Sequence, residues 1–97
     1  MQLPYSGFIL HYMIEKDSEQ FYLTSDLKLQ AFLRLMLPDS FIGLNKTSST
    51  KVHFVFRKSE KLTELVNGYL YRKQYLISPL TFAENIDQGK AMIYGDY

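Results

Sequence analysis

Residues 51–75, KVHFVFRKSEKLTELVNGYLYRKQY, contain the clearest change of hydrophobic period in the chain. Val52, Phe54 and Phe56 alternate with His53, Val55 and Arg57, so Lys51 to Arg57 is expected to be a strand with one wholly apolar face and one mixed face. Ser59 is then a natural N-cap, and Glu60 suits the positive end of a helix dipole. Leu62, Leu65, Val66 and Tyr69 recur at i, i+3, i+4 and i+7 and form a single stripe. Each is worth about 1.5–3 kcal/mol if fully buried. Gly68 weakens the last turn of this helix.

Working outward, Phe41 to Asn45 is extended and joins Lys51 to Arg57 through the Ser/Thr-rich loop Thr47–Thr50, which predicts a hairpin. Upstream, TSDLKLQAFLRLMLPDS predicts a helix of about three turns. Ser25 is its expected N-cap and Asp26 favours its first turn. Leu29, Phe32, Leu33 and Met36 point inward, Lys28 and Arg34 face water, and Pro38 ends it. Phe8 to Glu15 and Phe21 to Thr24 are expected to be strands joined by a turn at Lys16-Asp17-Ser18-Glu19. Downstream, after an extended Gln74–Ile77, Ser78-Pro79 opens a final helix. Phe82, Ala83, Ile86 and Ile93 mark its inner side, and it ends near Gly95. The expected layout is β-β-α-β-β-α-α, a single small α+β domain over residues 1–97. It has an antiparallel sheet of about four strands and three helices, largely on one face, and residues 1–20 are a strand extension.

Ninety-seven residues, with seven Phe, eight Tyr and no Trp, support one packed core and no second one. The lack of cysteine excludes disulfides, thiolate metal sites and a cysteine nucleophile, and fits a reducing, cytoplasmic setting. The apolar run Phe8–Ile14 has no basic residues ahead of it and no small-residue cleavage site, so no signal peptide is expected. No stretch reaches eighteen apolar residues, so no membrane span is expected. Tyr5, Tyr12, Tyr22, Tyr71, Tyr75, Tyr94 and Tyr97 cannot all be interior in so small a domain. Exposed tyrosine beside arginine points to an interface.

The net charge is +1. Residues 51–73 nevertheless hold six basic against two acidic side chains, between acidic ends. Nothing predicts catalysis, a metal or a cofactor. The two histidines, His11 and His53, stand on different strands, and the acidic pairs Asp17/Glu19, Glu60/Glu64 and Glu84/Asp87 read as solvated surface. Scattered single glycines make no phosphate loop. What remains is the basic segment. Lys51, His53, Arg57, Lys58, Arg72, Lys73 and Tyr75 could bind single-stranded nucleic acid by neutralising phosphates and stacking bases, without sequence readout. Alternatively, the aromatics belong to the core and the lysines are ordinary solvated charge.

The order FYLTSDLKLQAFL, KVHFVFRKSEKLTELVNGY, SPLTFAENIDQGKAMIY resembles a small family of prokaryotic and phage-borne domains of unknown function. The resemblance spans Phe21 to Tyr94 and rests on fold-determining positions. It implies a stand-alone domain in phage or mobile-element surroundings and supplies no catalytic residue. The expectation is thus a non-enzymatic binding module of phage or mobile-element type that contacts nucleic acid. The alternative is a protein-interaction domain, as a homodimer or as a small inhibitor of a partner protein.

Overall fold

The strand that heads the 51–75 stretch is the centre of the sheet. The structure, a computed structural model, describes residues 18–46 and 52–95. The elements are β1 (Phe21–Thr24), α1 (Leu27–Met36), β2 (Phe41–Lys46), β3 (Val52–Arg57), α2 (Glu60–Leu70) and α3 (Pro79–Tyr94), with short 3-10 turns at Ser18–Gln20 and Pro38–Ser40. β3 pairs antiparallel with β1 on one side and β2 on the other, giving the order β1-β3-β2. β1 and β2 therefore run parallel to each other with β3 between them, and α1 carries the chain from one edge to the other.

The α+β class, the antiparallel sheet and the three helices are as expected. The sheet has three strands among the described residues instead of about four, and the described order is β-α-β-β-α-α. The expected strand Phe8–Glu15 and the loop Thr47–Thr50 lie outside the described residues. Gln74–Ile77 has no regular structure.

Local chemistry accounts for the helix ends. α1 is capped by Asp26 rather than Ser25. The Asp26 carboxylate accepts from the Lys28 and Leu29 backbone N–H groups at 2.9 and 3.1 Å, and Thr24 Oγ1 accepts from the Asp26 N–H at 3.1 Å. Ser59 caps α2, accepting from the Leu62 N–H at 3.1 Å, and Ser78 caps α3 ahead of Pro79. Each cap satisfies a backbone donor that the helix itself cannot.

The main core lies between the sheet and the helices. Phe54, Phe56 and Leu44 pack against Leu29, Phe32 and Leu33 of α1, Leu62, Leu65 and Val66 of α2, and Met92 of α3. Gly68, expected to weaken α2, admits the Tyr75 phenol against the helix, because a Cβ there would collide with it. The Tyr75 ring then meets Phe32 in a tilted contact at 4.9 Å, and Phe32 also meets Tyr69 at 5.5 Å.

α3 packs chiefly on α1. Its fully covered residues are Gly89 and Met92, while Phe82, Ile86 and Ile93 are half-buried and Ala83, expected inside, is exposed. A helix resting on another helix needs a narrower inner stripe than one laid on a sheet. Gly89 is where Gln30 fits. The Gln30 amide donates to the Leu27 and Asn85 carbonyls, both at 2.9 Å, and Asn85 Nδ2 donates to the Ala31 carbonyl at 3.2 Å. Arg34, expected to face water, belongs to the same joint and is 9 % exposed. Its guanidinium donates to Gln88 Oε1 at 2.8 Å and to Gln30 Oε1 at 3.4 Å, and lies 5.0 Å from the Phe41 ring centre. Burial lowers its pKa from the ordinary value. The reversal has a simple cause: α3 covers the flank of α1 that a sheet alone would have left wet.

The face of β3 expected to be mixed carries a second apolar cluster, in which Val55, Phe21 and Ile42 are buried and Leu23 half-buried. A bulge between Phe41 and Gly43 brings Ile42 into this cluster beside Val55.

Candidate functional site

The basic and aromatic residues picked out by the sequence fall into separate groups. His53 and Arg57 alternate with Phe54 and Phe56 and so share the second face with Val55. His53 is half-buried opposite Asn45, a buried residue whose Oδ1 has no hydrogen-bond partner. Arg57 is exposed, yet its guanidinium lies 5.9 Å from the Phe21 ring centre at the sheet edge. Lys51 is outside the described residues.

Lys58 follows directly, its backbone N–H donating to the Gln20 carbonyl at 2.8 Å. It borders an open groove at the start of α2 shared with Glu19, Glu60 and Glu64. Three carboxylates against one ammonium make the lining of this groove negative, which is unfavourable for a polyanion inside it. Among the described residues, no three acidic or histidine side chains gather where they could hold a metal ion.

Arg72, Lys73 and Tyr75 stand at the other end of α2. The helix has eleven residues, so the two ends are about 16 Å apart. Tyr75 is occupied with Phe32 and Gly68, which leaves it half-buried, with the Lys73 ammonium 5.5 Å from its ring centre. It is therefore not an open stacking platform. Tyr71, one of the tyrosines the sequence leaves for an interface, is: it exposes 85 % of its surface at the C-cap of α2.

Arg72 closes the helix in the left-handed conformation, with φ 60°. Its N–H donates to the Tyr69 carbonyl at 3.1 Å, and the Lys73 N–H donates to the Gly68 carbonyl at 2.8 Å. Together these form a Schellman ending, in which glycine is the usual residue at the position Arg72 holds. An L-residue there costs about 1–2 kcal/mol.

Around this strained arginine the chain displays apolar side chains. Leu70, Leu80 and Tyr71 expose 63, 69 and 85 % of their surface and Leu76 all of it. All lie within the eleven residues 70–80 that turn α2 into α3. Arg72 and Lys73 are exposed among them. The sequence offered two signals for this corner: Leu70 falls outside the stripe that α2 buries, and Tyr71 is among the tyrosines too numerous to be interior. Single exposed leucines are common, but this many in one connection are not.

Elsewhere, burial raises the pKa of Tyr22 and Tyr69 above the ordinary 10.0, with the nearby Asp26 carboxylate adding to it. No helix among the described residues is long and apolar enough to cross a membrane. No family model, curated protein or solved structure matches the chain.

Proposed function

We propose that the chain is a non-enzymatic binding module and that it docks on a different protein through the α2–α3 corner, with Leu70, Tyr71, Leu76 and Leu80 as apolar contacts and Arg72 and Lys73 as charged ones. The observation that carries this is Leu76, a leucine wholly in water beside an arginine held in a backbone conformation that costs stability. Water-exposed apolar side chains and a strained cation are retained together where a partner uses both. The charge selects the partner. A symmetric pairing of two copies through this corner would set Arg72 and Lys73 against their own kind, so the fitting surface is an apolar cleft rimmed by Asp or Glu.

Nucleic-acid binding has one observation in its favour, the exposed Tyr71 flanked by Arg72 and Lys73, and it uses the same corner. A crosslinking and titration pair separates the two. A photo-crosslinking amino acid in place of Leu76 in the full chain should trap one discrete protein adduct in cells. The adduct should be absent with the same group at Thr63, on the exposed side of α2, and lost in the R72E/K73E variant. A fluorescent 20-mer oligonucleotide should bind weakly at low salt. Tight binding to the oligonucleotide that falls steeply with salt, with no adduct at Leu76, would overturn the protein-docking assignment in favour of nucleic acid.

A further inference from the structure

The connection between α2 and α3 has a backbone feature besides its apolar side chains. Burial alternates along Gln74–Ile77, with Gln74 and Leu76 exposed and Tyr75 and Ile77 half-buried. This is the two-residue period of a strand. Ser78 continues it at φ -75° and ψ 117°, the extended conformation that a following proline favours. Leu76 is uncovered over its whole surface, main chain as well as side chain. Among the described residues, no backbone N–H or C=O of Gln74–Ile77 has a hydrogen-bond partner. The N–H groups of Tyr71, Arg72 and Lys73 just before them and the C=O of Ser78 just after are all paired.

Both ends of the segment are held. The Tyr75 ring meets Phe32 at 4.9 Å and fills the space at Gly68, and Ser78 Oγ accepts from the Thr81 N–H at 3.3 Å at the head of α3. Folding has therefore already ordered this stretch, and a partner that pairs with it has little left to immobilise. A row of unpaired main-chain groups in an extended, fixed stretch is a template for another strand.

We infer that Gln74–Ile77 docks by strand addition: it lies along an exposed sheet edge of the partner protein and exchanges backbone hydrogen bonds with it through alternate residues. Four residues are about 13 Å long, and the two on one edge supply two donors and two acceptors. Leu76 then meets an apolar side chain on the neighbouring strand, and Arg72 and Lys73 meet the acidic rim. Strand addition rests on the docking assignment and adds to it the secondary structure of the partner.

A blocked hexapeptide of alternating aspartate and valine is the probe, and the unmodified full chain is the sample. At saturation with peptide, either the Gln74 and Leu76 amides or the Tyr75 and Ile77 amides should exchange with water about tenfold more slowly, read residue by residue by magnetisation transfer from water in NMR. The same peptide N-methylated at every residue keeps its side chains but has no backbone N–H to donate, and it should bind about tenfold more weakly. A shift of the Leu76 methyl signals with unchanged exchange at both pairs of amides would leave docking through side chains and overturn strand addition. Equal binding of the two peptides would overturn it as well, and so would a peptide that shifts no signal in residues 70–80. The docking assignment has its own test in crosslinking at Leu76, so any of these results with that adduct present removes strand addition alone.

Discussion

Gly89→Ala puts local propensity and tertiary packing in direct opposition. In a helix interior, alanine is favoured over glycine by about 1 kcal/mol, so α3 taken alone should gain stability. In the folded protein the added Cβ would collide with the Gln30 amide nitrogen and lie 3.0 Å from Gln30 Cδ and 3.1 Å from Leu27 Cδ2. Gln30 has no exposed surface and cannot swing into water. Moving it breaks two hydrogen bonds of 2.9 Å, to the Leu27 and Asn85 carbonyls. At about 1 kcal/mol for each bond and about 1–2 kcal/mol for the buried amide left without partners, the loss exceeds the propensity gain by about 2–3 kcal/mol. Urea unfolding followed by far-ultraviolet circular dichroism should show that loss as a lower midpoint with an unchanged slope. In a Gln30→Ala background only the 3.1 Å contact to Leu27 Cδ2 remains; a shift of a few tenths of an ångström in that side chain, into the space Gln30 vacates, relieves it, and Gly89→Ala should stabilise by about 0.5–1 kcal/mol. A Gly89→Ala variant more stable than the parent would refute the account of the α1–α3 joint. So would equal effects in the two backgrounds.

Arg72→Gly should stabilise the fold by about 0.5–1 kcal/mol, because relief of the left-handed strain outweighs the added entropy of glycine in the unfolded chain. Thermal melts check this, and a lower Tm would refute the strain argument. Asp26→Ala should cost about 1 kcal/mol through loss of the α1 cap, whereas Ser25→Ala should cost little; equal losses on denaturant unfolding would contradict the assignment. At alkaline pH, folded Tyr22 and Tyr69 hold their protons beyond the ordinary 10.0. Their preference for the folded state is fully present below pH 10 and is lost as pH rises through their folded values, so stability falls with pH above about 10. Phenolate absorbance at 295 nm should show late-ionising tyrosines that become ordinary in urea.

Sequence alone determined the elements whose signals are local. The alternation Val52-Phe54-Phe56, the stripe Leu62-Leu65-Val66 and the Ser59 and Ser78 caps are matched by β3, α2 and α3, because period and capping depend only on near neighbours. From these followed the α+β class and the antiparallel sheet. Phe54-Val55-Phe56 is an unbroken apolar run, the mark of a strand buried on both faces, and all three side chains are buried. The basic segment of residues 51–73 was equally visible, but its charges are distributed by α2, which carries Arg72 to the end opposite Lys58. Tertiary structure alone decided that Arg34 is buried, that Tyr75 fills the space left by Gly68 while Tyr71 stays in water, and that Arg72 sits at φ 60°. Each of these depends on what another element brings against the residue, and no spacing along one chain encodes which helix will lie on which.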